Sequence, residues 1–132
     1  MSVFTVPVIP NMTMTSREIA EEISLPPSLA SRWFNRGYYG TLKHNAKAVY
    51  QMYFGWYDGN PANLKPAADV ALARETAALA GGADVLAARA EALAEEGDLR
   101  LASHFAEMAV MAEPESARCH QVRAAVYDAR RK

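Results

Sequence analysis

Apolar and polar positions recur at helical spacing along this chain, and the two halves do so in different ways. Thr15-Ser16-Arg17-Glu18 predicts a capping box, in which Thr15 accepts from the Glu18 backbone N–H and Glu18 reaches back to Thr15. The helix that follows is short and ends near Ser24, because Pro26 and Pro27 cannot continue it. Pro27 suits the first turn of a second short helix through Leu29, Trp33 and Phe34. Gly37 and Gly40 then mark a turn. A longer helix is predicted from Leu42 to Tyr57, with Leu42, Ala46, Val49, Tyr50, Tyr53 and Trp56 on one face. Asp58-Gly59-Asn60-Pro61 stops it.

From Ala67 onward the chain is alanine-rich and broken mainly at Gly81-Gly82 and Gly97-Asp98. Helices are predicted at about 67–80, 84–96, 98–112 and 115–130. Counted from Gly97-Asp98, small and large residues fall at Ala102, Phe105, Ala109 and Val110, with Pro114 closing the series. Leu86, Ala90 and Leu93 take large–small–large places before it, and Ala124 and Tyr127 take matching places after it. This is the spacing of tetratricopeptide helix pairs, in which small residues let helices approach closely. Generic alanine-rich helices would match many of the same positions. Period-two alternation is confined to the first ten residues, where Pro7 and Pro10 favour an extended arm. The expected fold is all-α, with an arm over 1–14, an aromatic-rich half over 15–64 and a tetratricopeptide-like half over 65–132.

Composition adds limits. The chain has 132 residues, half of them hydrophobic, and a formal net charge of −1. A single globular domain follows, with no basic footprint for nucleic acid. No run approaches the roughly 20 apolar residues of a membrane span. The opening residues lack the basic region of a signal peptide, so a cytoplasmic setting is expected. Cys119 has no possible internal disulfide partner and reads as a half-buried small hydrophobe.

The candidate chemistry concentrates between Arg36 and Leu64, where seven aromatics (Tyr38, Tyr39, Tyr50, Tyr53, Phe54, Trp56 and Tyr57) surround His44. Such rings serve a partner surface or a pocket wall, and they also serve an ordinary core. His44, with Lys43 and Lys47 close to a helix start, suits an anion. The plainer alternative is a ring packed among aromatics and bonded to backbone. Asp58 reads as a turn residue, and Glu91, Glu95, Glu96 and Asp98 as a solvated helix face. Arg130-Arg131-Lys132 complements the negative end of the last helix.

Three stretches in order, EIAEEISLPPSLA (18–30), RGYYGTLKHNAKAVYQMYFGWYDGNPANL (36–64) and GGADVLAARAEALAEEGDLRLASHFAEMAVMAEPES (81–116), resemble the helical dimerisation domain of the alkyl sulfatases of the metallo-β-lactamase superfamily. The resemblance covers the chain from about Met14 on. It implies a homodimer, with Tyr38, Tyr50, Tyr53, Phe54 and Tyr57 at the interface, and a possible metallo-β-lactamase-fold partner. That family cleaves sulfate from alkyl sulfate esters at a two-zinc site. By the same resemblance His44 is the candidate catalytic residue, with Tyr39, Asn45 and Trp56 as substrate-binding neighbours. No HxHxDH motif is present, and His44, His104 and His120 lack metal-ligand spacing. No metal or cofactor is therefore expected in this chain, nor catalysis by it alone. The Val/Pro opening, where the family has a connecting helix, suggests either a free-standing relative or an altered leader. A further reading is an aromatic pocket for an alkyl chain.

Overall fold

Thr15 begins helix α1 (Ser16–Glu22) through the full capping box: its hydroxyl accepts from Glu18 N–H at 3.3 Å, and its own N–H donates to Glu18 Oε2 at 2.6 Å. Two donors to the carboxylate, the Thr15 N–H first and then the Thr15 hydroxyl at 2.9 Å from Oε2, hold the Glu18 carboxyl below its ordinary range. The computed structural model describes residues 14–131, so the expected arm over 1–14 lies almost wholly outside the described residues. The chain divides into two compact units, with the boundary between Pro66 and Ala67.

In the first unit α1 gives way at Ile23 to extended backbone ahead of the two prolines. Helix α2 (Pro27–Ala30) is a single turn, shorter than the expected helix through Phe34. Arg32 is extended, and Trp33–Asn35 form a separate 3-10 turn, tied back by Asn35 Nδ2 donating to the Leu29 carbonyl at 2.8 Å. Helix α3 (Leu42–Phe54) stops short of the expected Tyr57, because Gly55 takes φ 76° and leads the chain out of the helix. Helices α1 and α3 pack together, with Lys43 Nζ 3.3 Å from Glu21 Oε2.

The second unit holds α4 (Asp69–Ala80), α5 (Ala83–Glu95), α6 (Leu99–Ala112) and α7 (Ala117–Arg130). Two of these helices, α4 and α7, start two residues later than expected. Ala68 is still extended after Pro66, and Ser116 serves as the N-cap of α7, accepting from Cys119 N–H. Gly81 at φ 100° closes α4, and both Gly81 and Gly82 N–H groups return to the Ala77 carbonyl. Asp98 caps α6 by accepting from Leu101 N–H at 3.0 Å. Helix α4 packs on α5 and α6, α5 on α6 and α7, and α6 on α7. No strand occurs among the described residues, and the fold is all-α.

Small side chains carry this packing. Ala73 and Ala77 of α4, Ala83, Ala87 and Ala90 of α5, and Ala102, Ala106 and Ala109 of α6 are all buried. Leu86, Leu93, Val110, Val122 and Val126 supply the larger volume, and Phe105 and Met108 pack partly buried against them. Helices surfaced with alanine approach closely, and dispersion between their backbones then replaces contact between long side chains. Cys119 is fully buried in this cluster rather than half-buried.

Three expectations change here. On α7 the inward positions are Cys119, Val122 and Val126, whereas Ala124 is exposed and Tyr127 is on the outer side. The acidic run is not merely solvated. Glu91 accepts from Arg118 at 2.8 Å, tying α5 to α7, Glu96 accepts from Arg89 at 3.1 Å, and Asp98 is the cap. Arg130 donates to the Ser103 hydroxyl at 3.0 Å and lies over the Tyr127 ring, bracing α7 to α6. No helix among the described residues is long and apolar enough to cross a membrane.

Ala106 has no exposed surface, so an Ala106→Leu change must push α6 off its neighbours. A loss of about 1–3 kcal/mol is expected, read as a lower urea midpoint by circular dichroism. The same change at exposed Ala88 is expected to stay within about 0.5 kcal/mol.

Candidate functional site

Among its described residues the first unit buries almost nothing. Ala20 is its one buried hydrophobic side chain among the described residues. Its aromatics lie on the surface instead: Trp33 at 70%, Tyr53 at 72% and Trp56 at 67% relative exposure, with Phe34, Tyr38, Tyr39 and Phe54 also exposed. Tyr50 and Tyr57 are half-buried, paired in tilted and edge-on geometry with Phe54 and Trp56 respectively. Val49 and Met52 extend the same apolar character along α3. An ordinary core is thereby excluded as the use of these rings within one described chain.

His44 is placed by the residue three before it. Thr41 is the N-cap of α3, extended at φ −122° and ψ 158°, and its hydroxyl accepts from His44 N–H at 3.2 Å. The same oxygen lies 2.8 Å from His44 Nδ1. The ring is therefore exposed and bonded to a hydroxyl, not packed among aromatics and bonded to backbone. Lys43 is engaged with Glu21 on α1.

The turn before Thr41 depends on Gly37. A Cβ there would press on the Gly40 carbonyl, a rigid backbone atom that cannot swing aside. Beside this turn is an open groove of about 720 Å³ whose lining includes Leu25, Phe34, Arg36, Tyr38, Tyr39 and Asn45. Of the sequence candidates, Tyr39 and Asn45 thus share a groove, while His44 and Trp56 do not line it. Thr41 and Arg36 were not among those candidates. A Thr directly before an apolar-periodic run is a helix-start signal that points to Thr41; Arg36 carries no comparable signal.

At the far end of α3, Asp58 braces the following loop, accepting from Asn60 N–H at 3.0 Å and from Asn63 Nδ2 at 2.6 Å. Asn60 in turn caps the 3-10 turn Pro61–Leu64 by accepting from Ala62 N–H. The Asn60 N–H first, and Asn63 second, lower the Asp58 carboxyl from its ordinary value of 3.8. No three His, Cys, Asp or Glu side chains gather as a metal donor set among the described residues. These residues therefore do not fit a zinc centre.

Residues 15–132 match the alkyl sulfatase dimerisation family. The chain belongs to that family. The alkyl/aryl-sulfatase BDS1 of Saccharomyces cerevisiae is 47% identical over 119 residues, which are 90% of this chain and 18% of the yeast protein. A linear primary-alkylsulfatase of a Pseudomonas species is 40% identical over 104 residues, 79% of this chain and 15% of its own. In solved structures, the stereoselective inverting sec-alkylsulfatase Pisa1 from Pseudomonas matches with a TM-score of 0.82 and 37% identity. The match covers 89% of this chain and 19% of Pisa1. The matched part of the chain thus spans 15% to 19% of the length of these relatives. Within this alkyl sulfatase dimerisation domain, the aromatic run and the His44 turn both fall inside the matched residues.

The Asp58 brace has a testable pH dependence. Its folded value lies below its ordinary one, so its stabilisation is complete above about pH 3.8 and is lost as pH falls through the lower folded value. Carboxyl carbon shifts followed by NMR are expected to give an Asp58 midpoint below 3.8. In Asn63→Ala the midpoint is expected to rise; an unmoved midpoint would show that the brace is absent.

Proposed function

We propose that this domain is an association module that forms a homodimer through the exposed aromatic surface of its first unit. One observation carries the reading: the rings that would make a core are exposed, in a unit with a single buried hydrophobic side chain among its described residues. Trp33, Phe34, Tyr38, Tyr39, Tyr53, Phe54 and Trp56 together hold on the order of 1,000 Å², taking about 150–250 Å² for each ring side chain. A standard interface takes about 800 Å² from each partner, and the exposed ring area is of that size. Tyr38, Tyr53 and Phe54 are the proposed ring contacts, with half-buried Tyr50 and Tyr57 behind them. Aromatic residues are enriched in interface centres, where their area is gained at low cost in side-chain entropy.

A second reading follows from His44. Its exposed ring, close in sequence to Tyr39 and Asn45, supports a part in sulfate-ester hydrolysis when a metallo-β-lactamase-type hydrolase domain supplies the zinc. Names of the relatives, which are sulfatases several times longer than this chain, support that proposal. The His44 ring would then donate to an oxygen of the anionic ester group. Tyr39, Asn45 and Trp56 are the proposed substrate neighbours. Catalysis is not proposed for the domain by itself.

Light scattering after size-exclusion chromatography is expected to return twice the 14.4 kDa chain mass at micromolar concentrations. Tyr53→Ala combined with Trp56→Ala is expected to shift the population to monomer without loss of helix content. A monomer for the unaltered chain would rule out self-association. For the second reading, His44→Ala in a complex with the hydrolase domain is expected to lower kcat/KM by about 10²–10⁴-fold; full activity would reject it.

A further inference from the structure

We infer that Thr41 is a positioning residue that sets the tautomer of His44. Its hydroxyl hydrogen is donated to Nδ1, so the neutral ring carries its proton on Nε2, the nitrogen left to meet a ligand. This rests on the reading in which His44 contacts substrate, but its structural content is independent of it.

One oxygen serves two partners here. Thr41 Oγ1 accepts the His44 backbone N–H at 3.2 Å and lies 2.8 Å from His44 Nδ1. A hydroxyl has one hydrogen and two acceptor sites, so its hydrogen is still free after it has capped the helix. Donated to Nδ1, that hydrogen completes a chain from backbone N–H to hydroxyl to imidazole, in which each bond polarises the next. The reverse arrangement would aim a second N–H at the same oxygen. It would do so at a helix N-terminus, where unpaired N–H groups already concentrate positive potential. The first arrangement is therefore favoured. Which imidazole nitrogen holds the proton is decided by the bond the other one makes.

Thr41 is also held firmly enough to enforce this choice. Its carbonyl accepts the Asn45 N–H at 2.9 Å, and its β-branched side chain is stiff about χ1. The Gly37–Gly40 turn, which tolerates no Cβ at Gly37, delivers it to the start of α3. No described residue bonds to Nε2. In the neutral state His44 therefore offers a hydrogen-bond donor outward. That suits an acceptor oxygen, such as one on a sulfate ester, and does not suit proton abstraction by Nε2.

Long-range proton–nitrogen correlation spectra test the ring directly. Recorded on the full chain, uniformly labelled with ¹⁵N and held above the histidine titration, they distinguish a protonated from an unprotonated ring nitrogen. The unaltered protein is expected to show Nε2 protonated and Nδ1 bare, and Thr41→Ser to keep that pattern. Thr41→Val removes the hydroxyl, and the two nitrogen shifts are expected to converge toward those of exchanging tautomers. Thr41→Asp keeps an N-cap acceptor but has no hydrogen to give, so the proton is expected to move to Nδ1. A purely capping role would leave the ring pattern alike with threonine, serine or aspartate at the cap, because all three accept the same backbone N–H. An unaltered protein with Nδ1 protonated would overturn the inference, as would an unchanged pattern in Thr41→Asp. These spectra need no substrate, so their outcome stands apart from any failure of His44 in the hydrolysis assay.

Discussion

Apolar burial is the constraint on which the rest of this domain depends, and the two units meet it differently. Beyond Ala67, alanines at the helix crossings let four helices close on one another, so a modest number of Leu and Val side chains completes a core. In the first unit the apolar side chains are larger and rich in aromatics, yet Ala20 is the one hydrophobic side chain buried among the described residues. Rings of this size left in water forgo the main favourable contribution to folding. A second surface that covered them would recover it. The dimerisation family to which the chain belongs accords with that need.

Local bonds compensate for the missing core in the first unit. The capping box at Thr15, the Asn35 bond to Leu29, the Thr41 cap and the Asp58 brace each satisfy backbone groups at an element end. All are solvent-exposed local bonds, which define local shape better than they resist unfolding. The same devices aim the functional groups. Gly37 permits the tight turn, the turn delivers Thr41, and Thr41 holds both the start of α3 and the ring of His44. Structure and chemistry share one hydroxyl here.

Much of this was legible in the residue order. Capping signals and glycines act within a few residues, so the capping box and the α4 stop at Gly81 could be anticipated from spacing alone. The misplacements also have physical causes. Helix α3 ends at Gly55 because a glycine at positive φ overrides the apolar period that continues to Trp56. On α7, alanine at position 124 fits a small-residue pattern, but the helix turns Cys119, Val122 and Val126 inward instead. Periodicity identifies a face without saying which of two adjacent stripes the neighbouring helices will cover. Charge pairs such as Arg118 with Glu91 join residues far apart in sequence, and no local rule reveals them.

By itself the sequence determined the helical class, most element ends, and a concentration of aromatics around one histidine, because each of these is set by short-range sterics and hydrogen bonding. Its match to the alkyl sulfatase dimerisation family follows from the same residues in the same order. Only the tertiary structure decided that the aromatics face outward while alanines fill the core. Burial depends on which surfaces meet, and a ring reads identically in the sequence whether its partner is the next helix or another molecule. The tertiary structure likewise placed the His44 ring against the Thr41 hydroxyl, since a cap can be read from spacing but a side-chain rotamer cannot.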